Sequence, residues 1–128
     1  MKQILRNKDT GNFFVRYFKS FCHALNGFKY ALIHEHNVII MLLAVVVVVT
    51  AGLYYDIKTY EWLFCLFAFS SVLATEMINT ALEALVDLVT EKYHPLAKIA
   101  KDTMSTASLI FCIASFIGAI IIFVPYIF

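Results

Sequence analysis

Four side chains in the stretch SSVLATEMINTALEALVDL, residues 70–88, are of types that do chemistry: Glu76, Asn79, Glu83 and Asp87. On a helix at 100° per residue they fall at about 0°, 300°, 340° and 20°, so one narrow stripe carries all four. Three carboxylates and a carboxamide are hard oxygen donors. They suit a divalent cation, and Mg²⁺ favours one or two carboxylates together with substrate phosphates. A carboxylate at the apolar edge of such a cluster can serve as a general base. The same stripe could instead line an ion or proton pathway, as acids in transporters do. Asn79 alone would suit helix-to-helix glue, but three acids on one face repel one another.

The stripe is unexpected because of where it sits. The run WLFCLFAFSSVLAT that leads into it is free of charge, and the apolar pattern continues to Val89. A charged residue inside a membrane helix costs about 2.5–3.5 kcal/mol on insertion scales, so three need compensation. Spans on either side supply no Lys or Arg to pair with them. The loop that follows, TEKYHPLAKIAKD, adds Glu91, His94, Lys98, Lys101 and Asp102. Ammonium groups beside metal-binding acids are what a polyanionic phosphate ligand needs, since both neutralise its charge. With only Gly11, Gly27, Gly52 and Gly118 in the chain, no P-loop or glycine-rich phosphate cradle is present. A further acid, Glu35, lies in ALIHEHNVII just before the first apolar run, at the depth where the lower stripe emerges. The flanking His34 and His36 are two residues apart and point to different sides of a helix, so HEH is a poor chelator.

The elements that must position these residues follow from composition. The chain has 128 residues, 62% hydrophobic and 15% charged, with a mean hydropathy of +0.81. That is an integral membrane protein of one domain. Three apolar stretches read as transmembrane helices, at about 37–55, 61–89 and 103–127. The first is rich in β-branched residues, but a lone strand in lipid leaves its backbone unpaired, so the helix is expected. Pro125 falls in the last turn of the third, where a lost hydrogen bond matters least. Before them, Phe14, Phe18, Phe21, Leu25, Phe28 and Leu32 cluster within about 80° of a helical projection, opposite Arg16, Lys19, His23 and Asn26. Residues 13–34 are therefore expected to form an amphipathic helix on the membrane surface.

Charge sets the expected orientation. Of the ten Lys and Arg, six precede the first span, Lys58 alone lies between the first two, and Lys92, Lys98 and Lys101 follow the second. The positive-inside rule puts the N-terminus, the 90–102 loop and the acidic stripe on the cytoplasmic side. The N-terminal residues lack a signal-peptide pattern. Cys22, Cys65 and Cys112 are odd in number and isolated, which indicates neither a disulfide framework nor a zinc site.

E-x-x-N-T-A-L-E-A-L-V-D at 76–87, then Y-H at 93–94 and A-K-D at 100–102, resembles the prokaryotic diacylglycerol kinase and undecaprenol kinase family. Glu35, the amphipathic start and the three-span layout extend the likeness over most of the chain. The resemblance implies a homotrimer in the bacterial cytoplasmic membrane with active sites between subunits near the cytoplasmic surface. It implies ATP with Mg²⁺ as donor, a membrane lipid as acceptor and no nucleic acid partner. By the same likeness Glu76 is similar to the family's general base, and Glu35 and Glu83 to its metal-binding acids. Asn79, Glu83, Asp87, Lys101 and Asp102 match nucleotide and phosphate positions, and Arg16 and Lys19 match basic positions of the surface helix. The YHPLAKIAKD loop looks closer to the undecaprenol kinases, with diacylglycerol as the alternative acceptor. The chain departs from the family's pattern at Ala24, often a serine, at VIIM after Glu35, where a basic residue is common, and at Glu91–Lys92 before Tyr93. An ion or proton pathway is the expectation from another class, but Trp62 to Thr75 supplies no acid to continue one.

Overall fold

A computed structural model describes residues 12–128; the N-terminal segment read above as lacking a signal peptide lies largely outside them. The described chain is four helices: α1 (Phe13–His34), α2 (His36–Tyr54), α3 (Thr59–Val89) and α4 (Pro95–Ile127). The last three are each long and apolar enough to cross a membrane. The all-helical membrane architecture expected from composition is the one observed. At 1.5 Å per residue α3 is about 46 Å long, so it exceeds the ~30 Å hydrocarbon core and carries its last turns beyond it.

Each helix begins or ends for a local reason. Glu35 breaks the backbone between α1 and α2 with an extended conformation, φ −111° and ψ 107°. It makes no side-chain cap to α2, so its carboxylate is left for other partners. Val38 and Ala31 are almost fully buried on either side of this break and fix it. At the far end of α2, Asp56 takes a positive φ of 51°, and Ile57 N–H donates to Gly52 O at 3.1 Å. That is a Schellman stop, with Ile57 folding back onto the turn it terminates. α4 opens with His94, whose Nδ1 accepts from Leu96 N–H at 3.2 Å, followed by Pro95 at a position where a missing N–H costs nothing.

α3 is the axis of the fold. It packs along α4 over most of its length and also meets α2 and α1, whereas α2 and α4 do not pack on each other. Small residues permit the close approaches. A side chain added at Gly118 would lie 2.1 Å from the Phe64 ring, and one at Gly52 would lie 2.7 Å from the Trp62 ring. Few side chains are fully buried, and large apolar residues cover the outside of every helix. Such a surface is matched to lipid. On α1 the first part of the apolar stripe, Phe14, Phe18 and Phe21, is bare, as an interfacial helix requires.

Candidate active site

The acidic stripe of α3 turns inward. Glu76, 6% exposed, is buried with Asn79 and Thr80. Thr80 Oγ1 donates to Glu76 O at 3.0 Å, which ties the threonine to its own helix. Asn79 Nδ2 donates to Glu83 Oε1 at 3.0 Å. Its other end, Oδ1, is buried with no partner. The Glu76 carboxylate likewise accepts no hydrogen bond among the described residues. Glu35 and Glu83 lie close enough for their charges to act on it. The break after α1 therefore leaves Glu35 near enough to act on Glu76, while Asn79 is bonded to Glu83 on the same helix.

The other residues singled out from the sequence form a second tier. Lys101 Nζ donates to Asp87 Oδ1 at 2.7 Å, joining α4 to the last turns of α3. Asp102 pairs instead with Lys98 one turn back along α4. Arg16 and Lys19 lie on exposed positions of α1. They are about 28 and 24 Å along that helix from Glu35. Among the described residues no set of three His, Cys, Asp or Glu side chains stands ready to hold a metal ion. His34 is occupied by its own helix, with Nδ1 2.9 Å from Tyr30 O.

Because α2 and α4 are held apart by α3, a groove of about 710 Å³ runs between them. Glu76 and Asn79 line one end with Ser105 and Ser108 of α4, and Trp62 lines the other. From Trp62 to Asn79 the groove follows α3 for about 26 Å, close to the thickness of a bilayer core. Its walls between are almost wholly aliphatic and aromatic. Ser108 is buried without a hydrogen-bond partner, and the sequence reading passes over it. The signal available was the recurrence of Ser105, Ser108, Cys112 and Ser115 at three- and four-residue steps, one polar seam on an otherwise apolar helix.

Fold and site together define a small polytopic membrane protein whose acidic wall, flanked by lysine, sits at the mouth of an apolar groove, as phosphoryl transfer to a lipid requires. The chain belongs to the prokaryotic diacylglycerol kinase family, whose model matches residues 22–123. It is 36% identical over 119 residues to the undecaprenol kinase of Bacillus subtilis (strain 168), covering 93% of this chain and 97% of that one. It is 41% identical over 100 residues to the diacylglycerol kinase of Helicobacter pylori (strain ATCC 700392 / 26695), covering 76% of each. The diacylglycerol kinase of Escherichia coli (strain K12) is 30% identical over 113 residues, with 88% of this chain and 91% of that one covered. The protein is thus a membrane-bound lipid kinase, a phosphotransferase with an alcohol group as acceptor.

Proposed function

We propose that this protein transfers the γ-phosphate of ATP, with Mg²⁺, to the primary hydroxyl of undecaprenol. The observation that carries the reading is Glu76, a buried carboxylate with no partner at the polar end of a membrane-length apolar groove. The B. subtilis undecaprenol kinase, matched over nearly its whole length, favours that acceptor. Diacylglycerol is the second reading, supported by the relatives that carry that name.

The residues divide the work as follows. Glu76 takes the proton of the acceptor alcohol as its oxygen attacks the γ-phosphorus. The new O–P bond forms while the bond from that phosphorus to the β,γ-bridging oxygen breaks, and ADP leaves with the electron pair. Phosphoryl transfer asks a protein mainly for position and charge neutralisation, so little else is needed. Glu35 and Glu83 would supply the carboxylates for Mg²⁺, with Glu83 also accepting from Asn79 Nδ2. Two carboxylates with phosphate oxygens are the donor set this ion favours, so three clustered protein ligands are not required. When bound, the ion neutralises charge on the phosphates. Asp87, Lys101 and Asp102 face the nucleotide, with Lys101 released from Asp87 to phosphate. A homotrimer whose sites are shared between copies is the assembly that the family likeness implies, with Arg16 and Lys19 at the basic positions of the surface helix. The chain acts as one membrane domain in the bacterial cytoplasmic membrane, with N-terminus and site on the cytoplasmic face.

The test is purified protein in detergent with radiolabelled ATP, Mg²⁺ and either undecaprenol or diacylglycerol. Label in the undecaprenol product is expected, with a lower kcat/KM for diacylglycerol. The reverse preference would move the assignment to the second reading. Folded protein that labels neither lipid would end the kinase reading.

A further inference from the structure

Lys98, which follows α3 in the same loop sequence as Lys101, has no part in the chemistry above. Its ammonium is paired with the Asp102 carboxylate one turn on along α4, and both side chains are open to solvent. An exposed pair of this kind adds little to stability. Two features make it poorer still as a support for the helix. The cation precedes the acid at i and i+4, which is the weaker order. Lys98 also stands in the first turn of α4, which holds no acid and whose dipole opposes a cation. Helix stability gives no reason for a lysine at this position.

Its place on α4 supplies one. On a projection at about 100° per residue with Lys98 at 0°, the groove-lining Ser105, Leu109, Cys112 and Phe116 fall at about 340°, 20°, 320° and 0°. Lys98 is therefore on the face of α4 that lines the groove, and Lys101, at about 300°, borders the same face. Counted from Ser105 at the polar end of the groove, Lys101 lies about 6 Å and Lys98 about 10.5 Å further out along the helix. Two ammonium groups thus follow one another away from the Glu76 end, as the phosphates of a nucleotide must when its γ-phosphorus is at the acceptor. We infer that Lys98 is a second phosphate-binding cation, gripping the polyphosphate outward of Lys101, with Asp102 as the counter-ion it leaves when phosphate binds. This rests on the lipid-kinase reading and deepens it, since that reading gives the phosphates Lys101 alone. Exchange of partner costs little, because the pair with Asp102 is solvated and a phosphate chain carries more charge than one carboxylate.

The experiment compares wild type, Lys98→Met, Lys98→Arg, Asp102→Asn and the double variant of Lys98→Met with Asp102→Asn, as full-length protein in detergent. The first readout is equilibrium binding of radiolabelled ATP with Mg²⁺, without lipid. Lys98→Met is expected to raise Kd about fivefold to tenfold, the loss of one exposed charge-assisted hydrogen bond. Lys98→Arg keeps the charge and is expected to stay within about twofold of wild type. At least the same factor is expected when Lys98→Met is made in Asp102→Asn, because the lysine acts on phosphate and not through the acid. Salt screens such a contact, so the gap between wild type and Lys98→Met should narrow as NaCl is raised. The second readout is initial rates with undecaprenol, where KM for ATP should rise by the same factor and KM for the alcohol should not move. The thermal midpoint should not fall, since the pair supports the helix so little.

An unchanged Kd in Lys98→Met overturns the inference, as does a factor that vanishes in Asp102→Asn, which would make Lys98 a positioning residue for that acid. An arginine variant as weak as methionine overturns it too, and so does a lowered thermal midpoint with both KM values raised alike. If wild type binds ATP but phosphorylates neither lipid, the kinase reading fails, and the binding series still decides Lys98. A wild type that binds no ATP overturns both.

Discussion

α3 carries Glu61 in its first turn and Glu76 just past its middle, and the two have opposite surroundings. Glu61 sits in the first turn. Its Oε2 accepts from Lys58 N–H at 2.7 Å and from Tyr126 OH at 2.7 Å. One carboxylate thus caps α3 and ties it to the last turn of α4. Around it Tyr55 meets Phe123 and Tyr126, and Lys58 stands 5.7 Å from the centre of the Tyr60 ring. Aromatic and basic groups of this kind belong at a membrane interface. Glu76, four turns on, is buried with no hydrogen bond to its carboxylate and two other acids acting on it. The same side chain is structural where its lone pairs are satisfied and reactive where they are not. A protein keeps an unsatisfied buried acid at a cost to stability only where function needs it.

The contrast can be broken most sharply at Glu76. Glu76→Gln is expected to lower kcat by about 10²–10⁴-fold, the range for loss of a general base. ATP binding should be retained, and the midpoint of thermal unfolding in detergent should rise, because an unpaired buried charge has gone. A fall in that midpoint with kcat retained would make Glu76 a structural residue like Glu61. Next in size is Glu83→Gln, which removes a proposed metal ligand and weakens the grip on Asn79 Nδ2. A drop of about 10–100-fold in kcat/KM for ATP is expected, with a matching rise in the Mg²⁺ concentration needed for half-maximal rate.

Substitutions toward the other end of the helices should register in stability and spare turnover. Gly118→Val forces a side chain into the Phe64 ring, so a loss of about 1–3 kcal/mol in unfolding free energy is expected from overpacking, with KM for ATP unchanged. The smallest effect is assigned to Glu61→Gln. Its carboxylate lies at an exposed end, so the thermal midpoint should fall slightly and kcat should remain within about twofold of wild type. Tyr126→Phe should reproduce that fall, and the double variant should add little to either. A large loss of activity from Glu61→Gln would show that the outer clamp sets the geometry of the inner site.

How much of this was legible in the sequence depends on the range of the signal. The acidic stripe needed only helical periodicity, so Glu76, Asn79, Glu83 and Asp87 could be placed on one face from spacing alone. The amphipathic face of α1 and the spans were equally local. α4 shows the limit: its apolar run begins near 103, but the helix begins at Pro95, because a proline start capped by His94 extends it through polar turns that hydropathy does not register. The Tyr126–Glu61 bond joins residues from two different helices, and no periodicity announces it.

Sequence by itself determined the membrane class, the helices and the chemical identity of the acidic face, since lipid leaves the backbone few alternatives and side-chain type follows local register. Only the tertiary structure decided which acids are alone. The break at Glu35 leaves a fourth carboxylate near enough to act on Glu76, and the separation of α2 from α4 opens a groove below it. Those facts depend on how helices pack, and packing in a bilayer is set by small residues and close contacts between distant parts of the chain, not by the order of residues within any one helix.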